Sequence, residues 1–503
     1  MRQGLEEAIG RLRAEVTGLA EAGGIDRHQV AANHLAWAVA RAQAAAACLD
    51  WAEQSGDPLA TGIAEVAAAE AMAFAGGGST ELAALGAERL VAIHAGYRPT
   101  EDIGAGDEHR LLRASLRAFA EKEIRPHAQA VHRQDLDIPE DVIAGVAALG
   151  LFGLSVPEAY GGVQVPEPDF RAMLVATEEL SRASLAAGGS LITRPEILVR
   201  ALLRGGTEAQ RQEWLPAIAR GQKLVAVAVT EPDHGSDVAS IACRATPLAG
   251  GDWEISGTKL WCTFAGRSEL VMVLCRTSDA GHRGQSVFVV EKPAFAGHAF
   301  EHGQPSGGTL RGRAIPTIGY RGMHTFELAF DGYRVPAGAL VGGDEWRDRG
   351  FYLQMEGFAV GRIQTAARAV GVMQAALEDA LAYTRARRAF GRAVADLQLP
   401  GAMLGAMVVR VAAARQLSYR AARLLDRGEG QMESSLAKLH ASRAAEAVTR
   451  DAVQLHGAMG YGEETDVSRY FVDARVLSIF EGAEEVLALR VIARSLLQPG
   501  PGL

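Results

Sequence analysis

Cysteine is scarce in this 503-residue chain. Its four cysteines, Cys48, Cys243, Cys262 and Cys275, show no CxxC or His–Cys metal spacing. Four thiols in a chain of this length form no disulfide framework, so buried, reduced thiols and no metal site are expected. Long apolar runs are missing as well: no segment approaches the roughly 18 consecutive apolar residues that span a bilayer. A basic excess is also lacking, since 51 Lys and Arg face 60 Asp and Glu for a formal charge of −9. With the basic residues dispersed, that balance argues against a nucleic-acid footprint. The start, "MRQGLEEAIGRLRAEV", has no apolar h-region and reads as neither signal peptide nor anchor. A cytoplasmic protein with neither membrane nor nucleic-acid partner is the expectation.

What is present is a soluble composition, 48% hydrophobic and 22% charged. A chain of this length exceeds the roughly 250 to 300 residues at which single cores stop growing, so several domains are expected. The texture changes along the chain. Up to about residue 98 it is Ala-rich with helical spacing, as in "HLAWAVARAQAAAACLDWAE", and ends at Pro99 and the polar "TEDIGAGDEHR". Helical patterns continue to about 222, with Pro126 ending or kinking one of them. Short β-rich runs then alternate with Gly, Asp and Pro turns: "LVAVAVT", "WEISGTKLWC", "ELVMVLC", "SVFVVEK" and "TFELAFDGYRV", with "AGGDW" marking a hairpin. After Pro336, Ile363, Ala366, Val370, Met373, Leu377 and Leu381 restore a helical period, and further helices are read at roughly 400 to 427, 432 to 456 and 482 to 497. This gives four domains: 1–104 helical, 105–223 helical, 224–337 all-β and 338–503 a helical bundle.

Two motifs carry chemistry. "VTEPDHGSD" closes a β run and gathers hydroxyls and backbone amides around Thr230, Gly235 and Ser236. In isolation, a tight turn capped by Ser and Asp is the favoured explanation. In "GTKLWCTFA", Trp261 and Thr263 lie two apart in a strand, which puts an aromatic plane and a hydroxyl on one side and suits a flat heteroaromatic ring. A lone strand Trp is more often core. "TRARRAFGR" is a local arginine cluster suited to a phosphate-bearing small ligand; the alternative for Arg387 is a solvated helix charge.

Together these motifs resemble the flavin site of the acyl-CoA dehydrogenase superfamily, with its "TEPxxGSD" turn and "W-x-T" strand. Further matches in order are "FAEKEIRPHA", "LGLFGLSVPEAYGG", "GTEAQRQEWLPAIARGQ", "GRIQTAARAVG", "RRAFGR", "QLHGAMGY" and "IFEGAEE", so the resemblance covers residues 105 to 497. Within the superfamily, the N-terminal extension and "GGTLRGRAIPTIGYRGMHTFELAF" are most like the (2S)-methylsuccinyl-CoA dehydrogenases. The resemblance implies a mainly α fold with a central β-barrel: a helical domain, the barrel and a C-terminal four-helix bundle, here with an extra N-terminal helical domain. It also implies FAD, an acyl-CoA substrate, electron-transfer flavoprotein as acceptor, and a homodimer or homotetramer.

By position, the resemblance assigns Val229, Thr230, Gly235, Ser236, Trp261 and Thr263 to the flavin. Arg387, Phe390 and Gln398, with Gln454 and Gly457, match positions that hold the dinucleotide of a neighbouring subunit, where a guanidinium fork suits a pyrophosphate. Glu481 matches the catalytic base that takes the α-proton while the β-hydride leaves, giving an enoyl thioester. Gly482 would leave room for the thioester, and Ser236, Phe358 and Arg362 match substrate-binding positions. The alternative base position of another subgroup is Gly361 here, which leaves Glu481 as the candidate base.

The chain departs from the family pattern at three places. Ala483 stands for a Thr and Glu485 for a Gln at flavin-contacting positions, and Ala359 stands for an acidic residue three before Arg362. A dicarboxylic acyl group needs a cation when buried. Arg194 is the first candidate, with a surface helix-start arginine as its alternative, followed by Arg321 and His324. The competing functions are dehydrogenation of another short acyl-CoA, or an oxidase, desulfinase or nucleic-acid-binding flavoprotein of the same fold. The presence of Glu481 and the acidic charge count against the latter group.

Overall fold

The structure, a computed structural model, describes residues 1–78, 86–98, 107–163, 168–305 and 307–497. The boundary read at 104/105 and Pro99, where the polar linker begins, lie outside these residues. The chain folds as two compact units. One comprises Met1–Ala118, Phe170–Leu185 and Arg362–Leu503, the other Phe119–Asp169 and Ala186–Gly361.

The first unit is helical. Its long helices are Arg2–Gly23, Gln29–Ser55, Pro58–Ala75, Gln398–Leu425 and Gln431–His456, together with the C-terminal part of Gly350–Ala386. The Ala-rich extension and the C-terminal helices share one core, in which Leu35, Trp37 and Val39 pack with Leu436, Leu439, Ala488 and Ile492. Small residues make this close docking possible. A Cβ on Gly405 would stand 2.0 Å from the carbonyl oxygen of Leu90 in the Ala87–Gly96 helix, so only glycine admits that backbone. One sequence expectation is corrected here. Pro58–Ala75 is 18 residues long with a mean hydropathy of 1.2, enough by length and composition for a membrane span. Its Ile63, Ala64 and Val66 are nevertheless buried in this unit, and Glu70 pairs with Arg41 at 2.5 Å.

A buried ionic network crosses the same unit. Arg113 donates to Glu179 at 2.6 Å and Glu178 at 3.1 Å, Arg415 reaches Glu178 at 3.0 Å, and Arg182 bridges to Glu378 at 3.0 Å. Burial alone would raise the Glu179 carboxyl, but Arg117, Arg113 and Arg182 outweigh it and bring the pKa down to about 2.

The second unit is built on one sheet. Its strands are β1 Val225–Ala228, β2 Arg244–Pro247, β3 Trp253–Thr263, β4 Leu270–Arg276, β5 Gln285–Glu291, β6 Ala299–Gly303, β7 Thr309–Ala314 and β8 Thr325–Val335. The ladder runs β1-β4-β2-β3-β8-β7-β6, with β5 also on β4. The β2–β3 pair is antiparallel across the "AGGDW" turn, whereas β1 runs parallel to β4. Residues from all eight strands, among them Ala226, Ala245, Ile255, Val273, Phe288, Phe300, Leu310 and Phe326, meet in one cluster, so the sheet curls around its own core. β4 is buried on both faces. Val271, Val273 and Cys275 point to that core, and Leu270, Met272 and Leu274 to Leu198, Leu202, Trp214 and Ile218 of the helices Thr193–Gly205 and Glu208–Ala219. All four cysteines are free and buried. Pro126 does not end a helix: it stands second in the helix Arg125–Gln134, directly after a π turn at Ala120–Ile124, where its missing donor is tolerated.

Candidate active site

The sheet unit brings the two sequence motifs together. The N–H of Leu260 donates to the Thr230 carbonyl at 2.8 Å, and the Lys259 ammonium donates to the Val229 carbonyl at 2.9 Å. Glu231, which sequence reasoning passed over, anchors the turn: it accepts from Lys259 at 2.8 Å and from the N–H groups of Ala242 at 2.6 Å and Cys243 at 2.9 Å. Burial would raise its pKa, yet Lys259 and these two amides hold it below the usual carboxylate range. The loop beyond stands free, with Gly235 and Ser236 exposed. A lysine in an otherwise alternating strand was the available signal for this pair.

The same-face reading of Trp261 and Thr263 is corrected. The β3–β8 register slips between Lys259 and Cys262, and Trp261 has φ 59, so a bulge breaks the two-residue alternation. Trp261 is 54% exposed, whereas Thr263 is buried with its hydroxyl 3.1 Å from that of Thr325. An exposed indole on left-handed backbone is held against both burial and sterics.

Arg194 is a buried side chain rather than a surface helix-start charge. It donates to the Tyr320 hydroxyl at 2.9 Å and has no acidic partner among the described residues. The other two cation candidates are engaged locally. Arg321 donates to the carbonyls of Thr317 and His132. His324 lies 3.0 Å from Asp137, whose carboxyl it holds below the ordinary range with help from the Gly297 N–H. Asp135, His298 and His324 place ligand-type atoms within 4.8 Å of one another. Arg321 lies 3.8 Å from the same Asp135 carboxylate. Phe358 is half-buried and Ala359 buried in this unit.

The helical unit holds the rest. Glu481 is half-buried with φ 54, and its Oε2 is buried without a hydrogen-bond partner. No described residue accepts from its N–H. Ile479 is 54% exposed, whereas Phe480 is half-buried. Gly482 has φ 94, and a Cβ there would sit 2.9 Å from the Leu487 side chain, so backbone hand and crowding require glycine. Ala483 is the N-cap of the short helix Glu484–Val486 and makes no side-chain cap bond; Glu485 is exposed. Arg362 donates to Ser435 at 3.3 Å, and burial, partly offset by Glu481, lowers it to about 10.

Arg387 is exposed just past the end of its helix and is not within it. It opens a tiny ribbon, Arg388–Ala389 with Arg392–Ala393, whose tip carries Phe390 at φ 52 and 92% exposure. Gln398 is exposed at the first turn of Gln398–Leu425. Gln454 and Gly457 are exposed at the end of Gln431–His456, where His456 stacks on Tyr383 at 4.3 Å. The Tyr383 carbonyl in turn accepts from the Arg387 N–H, which brings the "RRAFGR" and "QLHG" segments close. Among the described residues eight non-glycine residues have positive φ, and Trp261, Phe390 and Glu481 are three of them. Backbone strain thus falls on positions singled out by motif.

Comparison with known proteins identifies the class. The acyl-CoA dehydrogenase N-terminal domain matches residues 106–222, the middle domain 226–333 and the C-terminal domain 348–497. The chain belongs to the acyl-CoA dehydrogenase family and is an oxidoreductase of that fold. It is 40% identical to (2S)-methylsuccinyl-CoA dehydrogenase of Cereibacter sphaeroides, over 81% of this chain and 74% of that protein. It is 34% identical to the mitochondrial short-chain specific acyl-CoA dehydrogenase of Bos taurus, over 81% and 93%. The solved butyryl-CoA dehydrogenase from Megasphaera elsdenii superposes with a TM-score of 0.72 at 30% identity, over 79% of this chain and all of that one.

Proposed function

We propose that the protein is an FAD-dependent dehydrogenase of (2S)-methylsuccinyl-CoA, forming mesaconyl-CoA, and that electron-transfer flavoprotein receives the electrons. The observation that carries the reading is Glu481: a carboxylate with a buried, unpartnered oxygen, on left-handed backbone next to a glycine. The α-C–H of a thioester is a very weak acid, so a base needs its lone pair free of other partners and the developing enolate oxygen needs donors. Glu481 supplies the first, and its own uncommitted N–H is suited to the second.

The residues present fit FAD. An exposed indole at Trp261, the free turn at Gly235 and Ser236, and the Thr230 and Thr263 hydroxyls offer a ring face and polar contacts. Arg387, Gln398, Gln454 and Gly457 offer exposed groups for the dinucleotide of a neighbouring subunit, and bare Phe390 suits such a contact between copies of the chain. FAD, when bound, accepts the β-hydride. Glu481 takes the α-proton, and Arg362 offsets the charge it carries before the proton arrives.

The dicarboxylic substrate is supported by Arg194, a buried guanidinium with no acidic partner among the described residues, which is a costly state unless a ligand carboxylate completes it. Anaerobic mixing of the flavin-loaded protein with methylsuccinyl-, butyryl-, isobutyryl- and glutaryl-CoA tests the reading. Fastest bleaching with methylsuccinyl-CoA is expected. Preference for a monocarboxylic thioester would overturn the substrate, and no bleaching with any would overturn the reaction.

A further inference from the structure

Lys438 lies on the helix Gln431–His456 between Leu436 and Leu439, which enter the core. Its residue exposure is 0%, and its ammonium donates to the carbonyl of Gly482 at 2.6 Å. That carbonyl belongs to the residue directly after the base, in the Gly482–Ala483 peptide. One helical turn on, Ser442 donates to the Leu477 carbonyl at 3.0 Å, so this helix face grips the base segment at both ends. From the Gly350–Ala386 helix, the Arg368 guanidinium lies 4.6 Å from the Phe480 ring centroid.

The charges facing Lys438 come from two elements. Glu481 and Glu484 on the base segment favour its ammonium, whereas Arg362 and Arg368 on the Gly350–Ala386 helix oppose it. Glu484 is already paired with Arg443, which leaves Glu481 as the carboxylate without an ion-pair partner closer than these cations. Burial is the largest influence on Lys438 and brings it down to about 7, into the range where an enzyme works.

We infer that Lys438 is a positioning residue for the base: through the Gly482 carbonyl it pins the Gly482–Ala483 peptide, next to left-handed Glu481, and so holds the base segment in the hand that presents the carboxylate to the α-proton. The inference rests on Glu481 being the base. Removing the donor frees the strained peptide to leave the hand that presents the carboxylate.

The test compares flavin-loaded wild type with Lys438→Met, Lys438→Gln and Lys438→Arg, by anaerobic flavin reduction with methylsuccinyl-CoA between pH 6 and 9. Lys438→Met is expected to slow reduction about 10-fold or more, with KM changed less than about threefold, because the loss is in presenting the base. Lys438→Arg, which keeps a charged donor for the Gly482 carbonyl, is expected to reduce its flavin within about threefold of the wild-type rate. If Lys438→Met does not fold with flavin bound, Lys438→Gln against Lys438→Arg reads the same difference. A rate within about twofold of wild type in the neutral variants would overturn the inference. A loss as large in Lys438→Arg as in the neutral variants would also overturn it. A wild type that no acyl-CoA reduces would instead count against the function proposed above.

Discussion

Lys259 and Glu231 form an ion pair at 2.8 Å, with side-chain exposures of 0% and 5%, beneath the turn that bears Thr230 and the bulge that bears Trp261. Removing one partner of such a pair leaves an uncompensated buried charge. Lys259→Met is therefore expected to cost about 3–5 kcal/mol of stability and to loosen flavin retention. Lys259→Met combined with Glu231→Gln is expected to recover part of that stability. Urea unfolding and the flavin-to-protein absorbance ratio check both outcomes.

Glu481→Gln keeps the size of the side chain and removes its basicity. Flavin content and acyl-CoA affinity should persist while substrate-driven flavin reduction falls by about 10²–10⁴-fold. Stopped-flow reduction measures it, and a near-native rate in the variant would dismiss Glu481 as the base.

Arg194→Met tests the dicarboxylate separately from the chemistry. The expected loss is about 100-fold in kcat/KM for methylsuccinyl-CoA, with butyryl-CoA turnover changed less than about threefold. Equal losses on both thioesters would assign Arg194 to folding, through its bond to Tyr320.

Ala483 occupies an N-cap position without a side-chain acceptor for the exposed amides of the next turn. Ala483→Thr should supply one, raising stability by about 0.5–1 kcal/mol. Thermal unfolding of the flavin-loaded variant is the readout, and a lowered midpoint would refute the cap.

Stability should also fall in acid through Glu179. Its folded pKa, about 2, lies below the ordinary 4.5, so its contribution is fully present above pH 4.5 and is lost as the pH drops towards 2. The full size is on the order of 3 kcal/mol, of which about 2 kcal/mol is readable as the difference in unfolding free energy between pH 5 and pH 3. Glu179→Gln should be less stable at neutral pH and show a flatter acid slope.

The order of helical and β segments was legible because periods of 3.6 and 2 leave direct traces in hydrophobic spacing, as from Ile363 to Leu381. Motif spacing likewise located Glu481 and the Thr230 turn. Trp261 and Thr263 show where this stops: alternation assumes a regular strand, and a bulge with a left-handed Trp changes the count. Lys259 and Lys438 were passed over because a lysine in a strand or helix reads as a solvated charge until its partner 28 residues or 44 residues away is known. The parallel pairing of β1 with β4 and the sharing of one core by residues from the first and last hundred are long-range outcomes that no local pattern encodes.

That shared core bears on how the chain is made. The helical unit is assembled from Met1–Ala118, Phe170–Leu185 and Arg362–Leu503, and the sheet unit is synthesised largely in between. At roughly 5–20 residues per second, the ribosome takes about 20 s to over a minute between delivering Leu35 and delivering Leu436 and Ile492, its packing partners. Throughout that interval the Ala-rich helices carry an uncovered apolar stripe on the nascent chain. The sheet unit can condense during translation, whereas the unit that holds Glu481 closes only after the codons for Leu436 and Ile492 are read.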